Sequence, residues 1–144
     1  MTYEEWLNTI EELKHPNLSI DNLNKIKNTS LNENINPLLI PKIENLVKER
    51  LNNSINKIIL NLSEIFNDIN YLDLTLLNFK KEINYILEII SIKQLPEEKQ
   101  KELKDMIKDE SNNVIEILNK EAQKLDYTGA LSSIINNYRI KWSE

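Results

Sequence analysis

The sequence contains no cysteine. Disulfides, thiolate nucleophiles and cysteine-ligated metals are therefore outside its chemistry. A single glycine rules out the glycine-rich loops that cradle phosphates. One glycine and four prolines also supply few tight turns or bulges, which favours helices over strands. The one histidine, His15, stands beside Pro16. Catalytic triads, zinc motifs and Glu-x-x-His di-metal sites all need histidine partnered at fixed offsets, and nothing pairs with His15, so it reads as a solvated loop residue. No long apolar run occurs: the greasiest stretch, residues 72–92, is interrupted by Lys80, Lys81 and Glu82. The N-terminal MTYEEWLNTIEELK is acidic and amphipathic, unlike a secretory leader, so a cytoplasmic location is expected.

What is present is ordinary for a globular protein of one domain: 144 residues, 40% hydrophobic and 28% charged. The net charge of −5 weighs against binding to nucleic acid or an anionic membrane. Asparagine, isoleucine and lysine dominate while alanine and arginine occur twice each, a bias that suggests an AT-rich genome.

The longest periodic stretch is residues 36–70. Ile43, Val47, Leu51, Ile55, Ile58, Leu62, Ile65 and Ile69 recur at the alternating three-and-four spacing of one helical face. Lys, Glu, Arg and Asn fill the other face. Isoleucine and asparagine are poor helix formers, so such a helix needs partners along its stripe. Its start is expected at Pro37 behind an Asn36 cap, or at Pro41, since proline is best tolerated in a first turn.

Those partners are found on both sides. Thr2 and Glu5 fit a capping box opening a helix that runs to about Lys14, with Tyr3, Trp6, Leu7, Ile10 and Leu13 on one face. Pro16 ends it, and a short helix is expected over residues 20–28 with Ser19 as cap. Beyond the spine, a turn is expected at Tyr71–Asp73 with Asp73 as N-cap, although an unbroken helix also fits the phase. A third long element over residues 74–91 then buries Leu76, Phe79, Ile83, Ile86, Leu87 and Ile90. Pro96, Glu97 and Glu98 begin a helix to about Leu125, with Leu103, Met106, Ile107, Val114, Ile117, Leu118 and Leu125 inward. Thr128 caps a last helix carrying Leu131, Ile134, Ile135, Tyr138 and Trp142. The architecture expected is all-α: a single-domain antiparallel bundle of about five helices with one long central helix.

Chemistry is hard to find. Glu110 and Glu121 both lie near a buried stripe, but eleven residues of helix set them about 16 Å apart, too far to share one metal or one reacting bond. Their stems pack while their heads reach water, near Arg50 or Arg139. The lysines at 99, 101, 104 and 108 interleave with acids at 98, 102, 105 and 109, which describes a solvated face. Residues 3–28 can imitate a helix-turn-helix DNA reader, with Asn22, Asn24, Lys25 and Lys27 on its second helix. Glu4, Glu5, Glu11 and Glu12 on the first would repel phosphates.

What remains is surplus apolar surface. Leu60 lies opposite the main stripe of the spine. Leu74, Tyr85, Ile89 and Ile92 form a second line on the following helix, and Tyr138 and Trp142 sit near the chain end. In a bundle, a central helix is covered all round and such residues are simply core. Otherwise they mark a contact with a partner, for which aromatic residues are frequent anchors. Leu60, Tyr85, Ile89, Ile92, Tyr138 and Trp142 are accordingly the candidate contact residues. No cofactor and no catalytic group is indicated. The function expected is protein binding by an acidic inhibitor, immunity, antitoxin, anti-defence or adaptor protein, with a basic partner favoured by charge. A self-assembling homodimer is the alternative.

Overall fold

The structure is a computed structural model that describes residues 2–14, 24, 37–91, 95–125 and 129–138. It is all-α, with no strand among the described residues. The elements are α1 (Tyr3–Leu13), a 3-10 turn (Pro37–Leu39), α2 (Ile40–Leu60), α3 (Leu62–Ile65), α4 (Ile69–Ile90), α5 (Glu97–Leu125) and α6 (Ala130–Asn137). The helix expected over 20–28 lies, apart from Asn24, outside the described residues, as do His15, Ile92, Thr128, Arg139 and Trp142. The chain divides into two compact units, Met1–Asn52 with Tyr85–Lys104, and Asn53–Asn84 with Asp105–Glu144.

In the first unit α1 opens as its residues require. The Thr2 hydroxyl accepts the Glu5 backbone N–H at 3.2 Å, and Glu4 and Glu5 sit at the positive end of the helix dipole. Trp6, Ile10 and Leu13, spaced four and three apart, are buried, while Leu7 is half-buried and Tyr3 lies at the exposed rim. Both prolines before the spine are used: Pro37 starts the 3-10 turn, which packs against α1, and Pro41 falls in the first turn of α2. Ile43, Val47 and Leu51 are buried as their spacing predicts.

Arg50 is the exception among the polar residues of α2, for it is buried too. Its guanidinium donates a 2.6 Å hydrogen bond to the Leu13 carbonyl and lies 4.7 Å from the centroid of the Tyr85 ring. The last turn of α1 has no basic residue of its own, so Arg50 supplies a cation to its negative end from a distant part of the chain. On the solvent side of the unit, the Glu44 carboxylate accepts hydrogen bonds from Lys48 at 2.9 Å and Lys99 at 3.2 Å. Lys48 first and Lys99 second hold Glu44 below the usual carboxylate range.

In the second unit the spine does not continue past Leu60. The turn expected at Tyr71–Asp73 falls earlier, and Tyr71–Asp73 is helical. Asparagine and aspartate make the break without glycine or proline. The Asn61 side chain donates back to the Lys57 carbonyl at 2.8 Å, and the Asp68 carboxylate accepts the Asn70 N–H at 2.9 Å. Asp68, and not Asp73, therefore caps α4. One consequence is that Ile69, expected on the buried stripe, is 58% exposed. Asp73 instead accepts a hydrogen bond from the Tyr138 hydroxyl at the end of α6, and this contact raises the phenol's pKa.

The inward face of α5 is also rolled relative to expectation. Leu103, Ile107, Ser111, Val114, Leu118 and Ala122 are buried at spacings of four and three, joined by Ile115, whereas Ile117 and Leu125 are exposed. Ser111 and Ala122 hold places in the stripe that apolarity alone does not mark. Gly129, at φ 81, caps α6 in the left-handed conformation that glycine adopts freely.

The buried Ser111 hydroxyl has no hydrogen-bond partner among the described residues. Stranding a hydroxyl costs about 1–3 kcal/mol, and alanine is the better helix former by roughly half a kcal/mol. Ser111→Ala is therefore expected to raise stability by about 1 kcal/mol, seen as a higher urea midpoint at unchanged slope. A loss of stability would show that the hydroxyl is bonded.

Candidate functional site

The turn between α2 and α4 also shapes the surface around it. Together with the adjoining helical turns it walls an open cleft of about 400 Å³ that lies wholly within residues 54–82. Ser54, Lys57, Ile58 and Asn61 of α2 and its C-terminal cap line one side, Ile65 of α3 closes the turn end, and Tyr71, Leu74, Thr75, Asn78, Phe79 and Glu82 of α4 line the other. Ile58, Ile65 and Phe79 are buried and make an apolar floor. The polar lining is mainly neutral amides and hydroxyls, with Lys57 and Glu82 as its charged members. A cleft of this size and makeup is in the range of sites that take a small ligand or a few side chains of a partner.

Apolar surface is left uncovered along the stretch of chain that carries the cleft, and of its residues Tyr71 and Leu74 line the cleft itself. Leu60 ends α2 and is 82% exposed, and Leu74 in the second turn of α4 is 52% exposed. Ile59, Ile69 and Tyr71 are exposed on the same stretch of chain. The local cause is the break itself. When Asn61 ends α2, Leu60 loses the continuation of the helix that would have run beside it, and Asp68 restarts the chain with Ile69 in its first turn.

The six candidate contact residues are thereby separated. Leu60 is exposed but is not among the residues that line the cleft. Tyr85 and Ile89, which share a line with Leu74 on α4, are 6% and 1% exposed, so they are core and present no face to a partner. The reason is that the C-terminal half of α4 is apolar on both sides, and Ile83, Ile86 and Ile90 are buried there as well. Tyr138 is half-buried and engaged with Asp73. Ile92 and Trp142 lie outside the described residues. Phe79 is buried as its spacing predicts, whereas Tyr71 and the amide lining were not marked by periodicity. Tyr71 looked like part of a turn, and the amides of Asn61 and Asn78 resemble the solvated asparagines found throughout the sequence.

Among the described residues no three His, Cys, Asp or Glu side chains are grouped to hold a metal ion. Glu110 is exposed, and Glu121 is half-buried with an ion pair to Lys124 at 3.5 Å. Among the described residues no helix is long and apolar enough to cross a membrane. No protein-family model, no curated protein and no solved structure matches the chain.

Proposed function

We propose that this chain is a protein-binding module that acts by contact, as an inhibitor or adaptor does, and that the cleft of residues 54–82 is its contact surface. The observation that carries the proposal is that two exposed apolar side chains, Tyr71 and Leu74, line a cleft with an apolar floor of Ile58, Ile65 and Phe79. Scattered exposed leucines are normal on any surface, but a group of them beside a concavity marks an interaction site. The net charge of −5 complements a basic partner and would speed encounter with one.

A photo-crosslinking residue placed at position 74, and in a separate sample at exposed Glu98, tests this in native lysate. Position 74 is expected to yield a discrete adduct with another protein that position 98 does not, and Leu60→Asp in the same chain should abolish it. Adducts at both positions alike, or none at position 74, would contradict the proposal. An adduct of exactly two copies of this chain would replace it with the self-assembly reading.

A further inference from the structure

We infer that the turn over residues 61–68 is a hinge, and that straightening it joins α2, α3 and α4 into one helix in a dimer whose two copies exchange residues 69–144. The chain is written for both forms. At about 100° per residue, Ile58, Leu62, Ile65, Ile69, Leu72 and Leu76 lie within about 40° of one line, so the apolar stripe runs through the turn in phase. The turn holds no glycine or proline, and none of its residues has positive φ. Asn61 (φ −109°, ψ 20°) and Phe66 (φ −86°, ψ −1°) stand in the bridge region beside helical geometry. Two side chains interrupt the helix: Asn61 donates back to the Lys57 carbonyl, and Asp68 accepts the Asn70 N–H.

Each compact unit combines chain from before the turn with chain from after it. In the first unit Arg50 of α2 stacks on Tyr85 of α4, and Glu44 of α2 pairs with Lys99 of α5. In the second, α2 and α4 wall the cleft. A single copy that straightened would lose these contacts and uncover the core of both units. A second copy restores every one of them, because residues 1–60 of one chain then meet residues 69–144 of the other as they meet within one chain. Such exchange of an identical element is a low-cost route to a dimer. It also covers what the turn leaves bare. Ile69, exposed at the start of α4, rejoins the stripe between buried Ile65 and Leu72, where the two hinge segments run side by side about the dimer axis. The contact surface proposed above belongs to the single folded copy and does not depend on the exchange.

Refolding the full chain from denaturant at low and at high concentration, followed by light scattering, tests the exchange. At high concentration a dimer is expected that persists on dilution, since it parts only by unfolding. Ile69→Pro should abolish it and leave a folded helical monomer, because proline is tolerated at the first position of α4 but not inside an unbroken helix. Asn61→Ala with Asp68→Ala removes both interrupting side chains and should raise the dimer fraction several-fold. The cysteine-free chain allows spin labels at Lys57→Cys and Asn78→Cys, which face each other across the cleft of one folded copy. With labelled chains diluted in unlabelled ones, the within-chain distance should lengthen in the dimer to about 32 Å, at 1.5 Å of helical rise per residue. A dimer that keeps the monomer's distance would overturn the exchange. So would wild type and the double variant both staying monomeric, or a dimer of Ile69→Pro as abundant as the wild type's.

Discussion

Replacing Arg50 by alanine is expected to destabilise the protein by about 3 kcal/mol, a fall in melting temperature of roughly 10 °C for a chain of this length. Arg50 is buried, and its guanidinium does two things at once in the first unit. It donates a short hydrogen bond to the Leu13 carbonyl, and it stacks over the Tyr85 ring. A charged hydrogen bond of this kind contributes about 1.5–3 kcal/mol, and a desolvated cation–π contact about 1–2 kcal/mol. The two share one side chain, so they do not simply add. Alanine also strands the Leu13 carbonyl and leaves a cavity where the stem lay. Arg50→Lys should recover about half of the loss, because lysine keeps the charge but not the planar fork that bonds and stacks together. Urea denaturation of the wild type and both variants measures this directly. A loss below about 1 kcal/mol for alanine would mean that α1 is held by its apolar face alone.

Leu118→Ala should show a comparable loss, about 3 kcal/mol, while Leu125→Ala should stay within about half a kcal/mol of wild type. Both leucines fit an apolar series on α5 in the sequence. Leu118 is fully buried, between Val114 and Ala122 on the inward face, and its truncation leaves a cavity that close-packed neighbours refill only in part. Leu125 is 61% exposed and loses little by becoming smaller. The two lie seven residues apart and so within about 20° of one face, and the pair reads out where cover along that face ends, before the last turn of α5. Similar losses at the two positions, or a larger one at Leu125, would mean that the inward face stays covered to the end of α5.

The helical class was legible because it rests on local signals. Thr2, Pro37, Pro41 and Pro96 stand at helix starts for reasons of hydrogen bonding that act within one turn. The break after Leu60 was hidden for the opposite reason. It is made by asparagine and aspartate side chains, which serve equally well as solvated residues in mid-helix. Asp73 offered a competing cap twelve residues beyond Asn61, and only the bond from Asn70 to Asp68 separates the two. On α5, Ser111 and Ala122 are too small or too polar to mark an inward face, so the larger Ile117 drew the stripe aside, while Leu125 has the right phase and is exposed because the helix ends there.

Of the exposed apolar residues on this stretch, Leu60 was legible in the sequence, since it stands opposite the main stripe of its helix. The line of Leu74, Tyr85 and Ile89 has one period but two environments. Leu74 faces outward while Tyr85 and Ile89 are covered. Periodicity states which residues share a face. It does not state whether anything covers that face, because coverage depends on segments distant in the chain.

Solvent paramagnetic relaxation tests the central claim most directly, namely that the uncovered apolar side chains of α4 lie in its first turns, at Ile69, Tyr71 and Leu74, and not along the Tyr85 line. With a soluble gadolinium chelate added to the isolated chain, the side-chain signals of Leu60, Ile69 and Leu74 should broaden strongly, while those of Ile86 and Ile89 and the Tyr85 ring remain sharp. Sharp signals from Leu60 and Leu74 together with broadened ones from Tyr85 and Ile89 would contradict it and return the contact surface to the second half of α4.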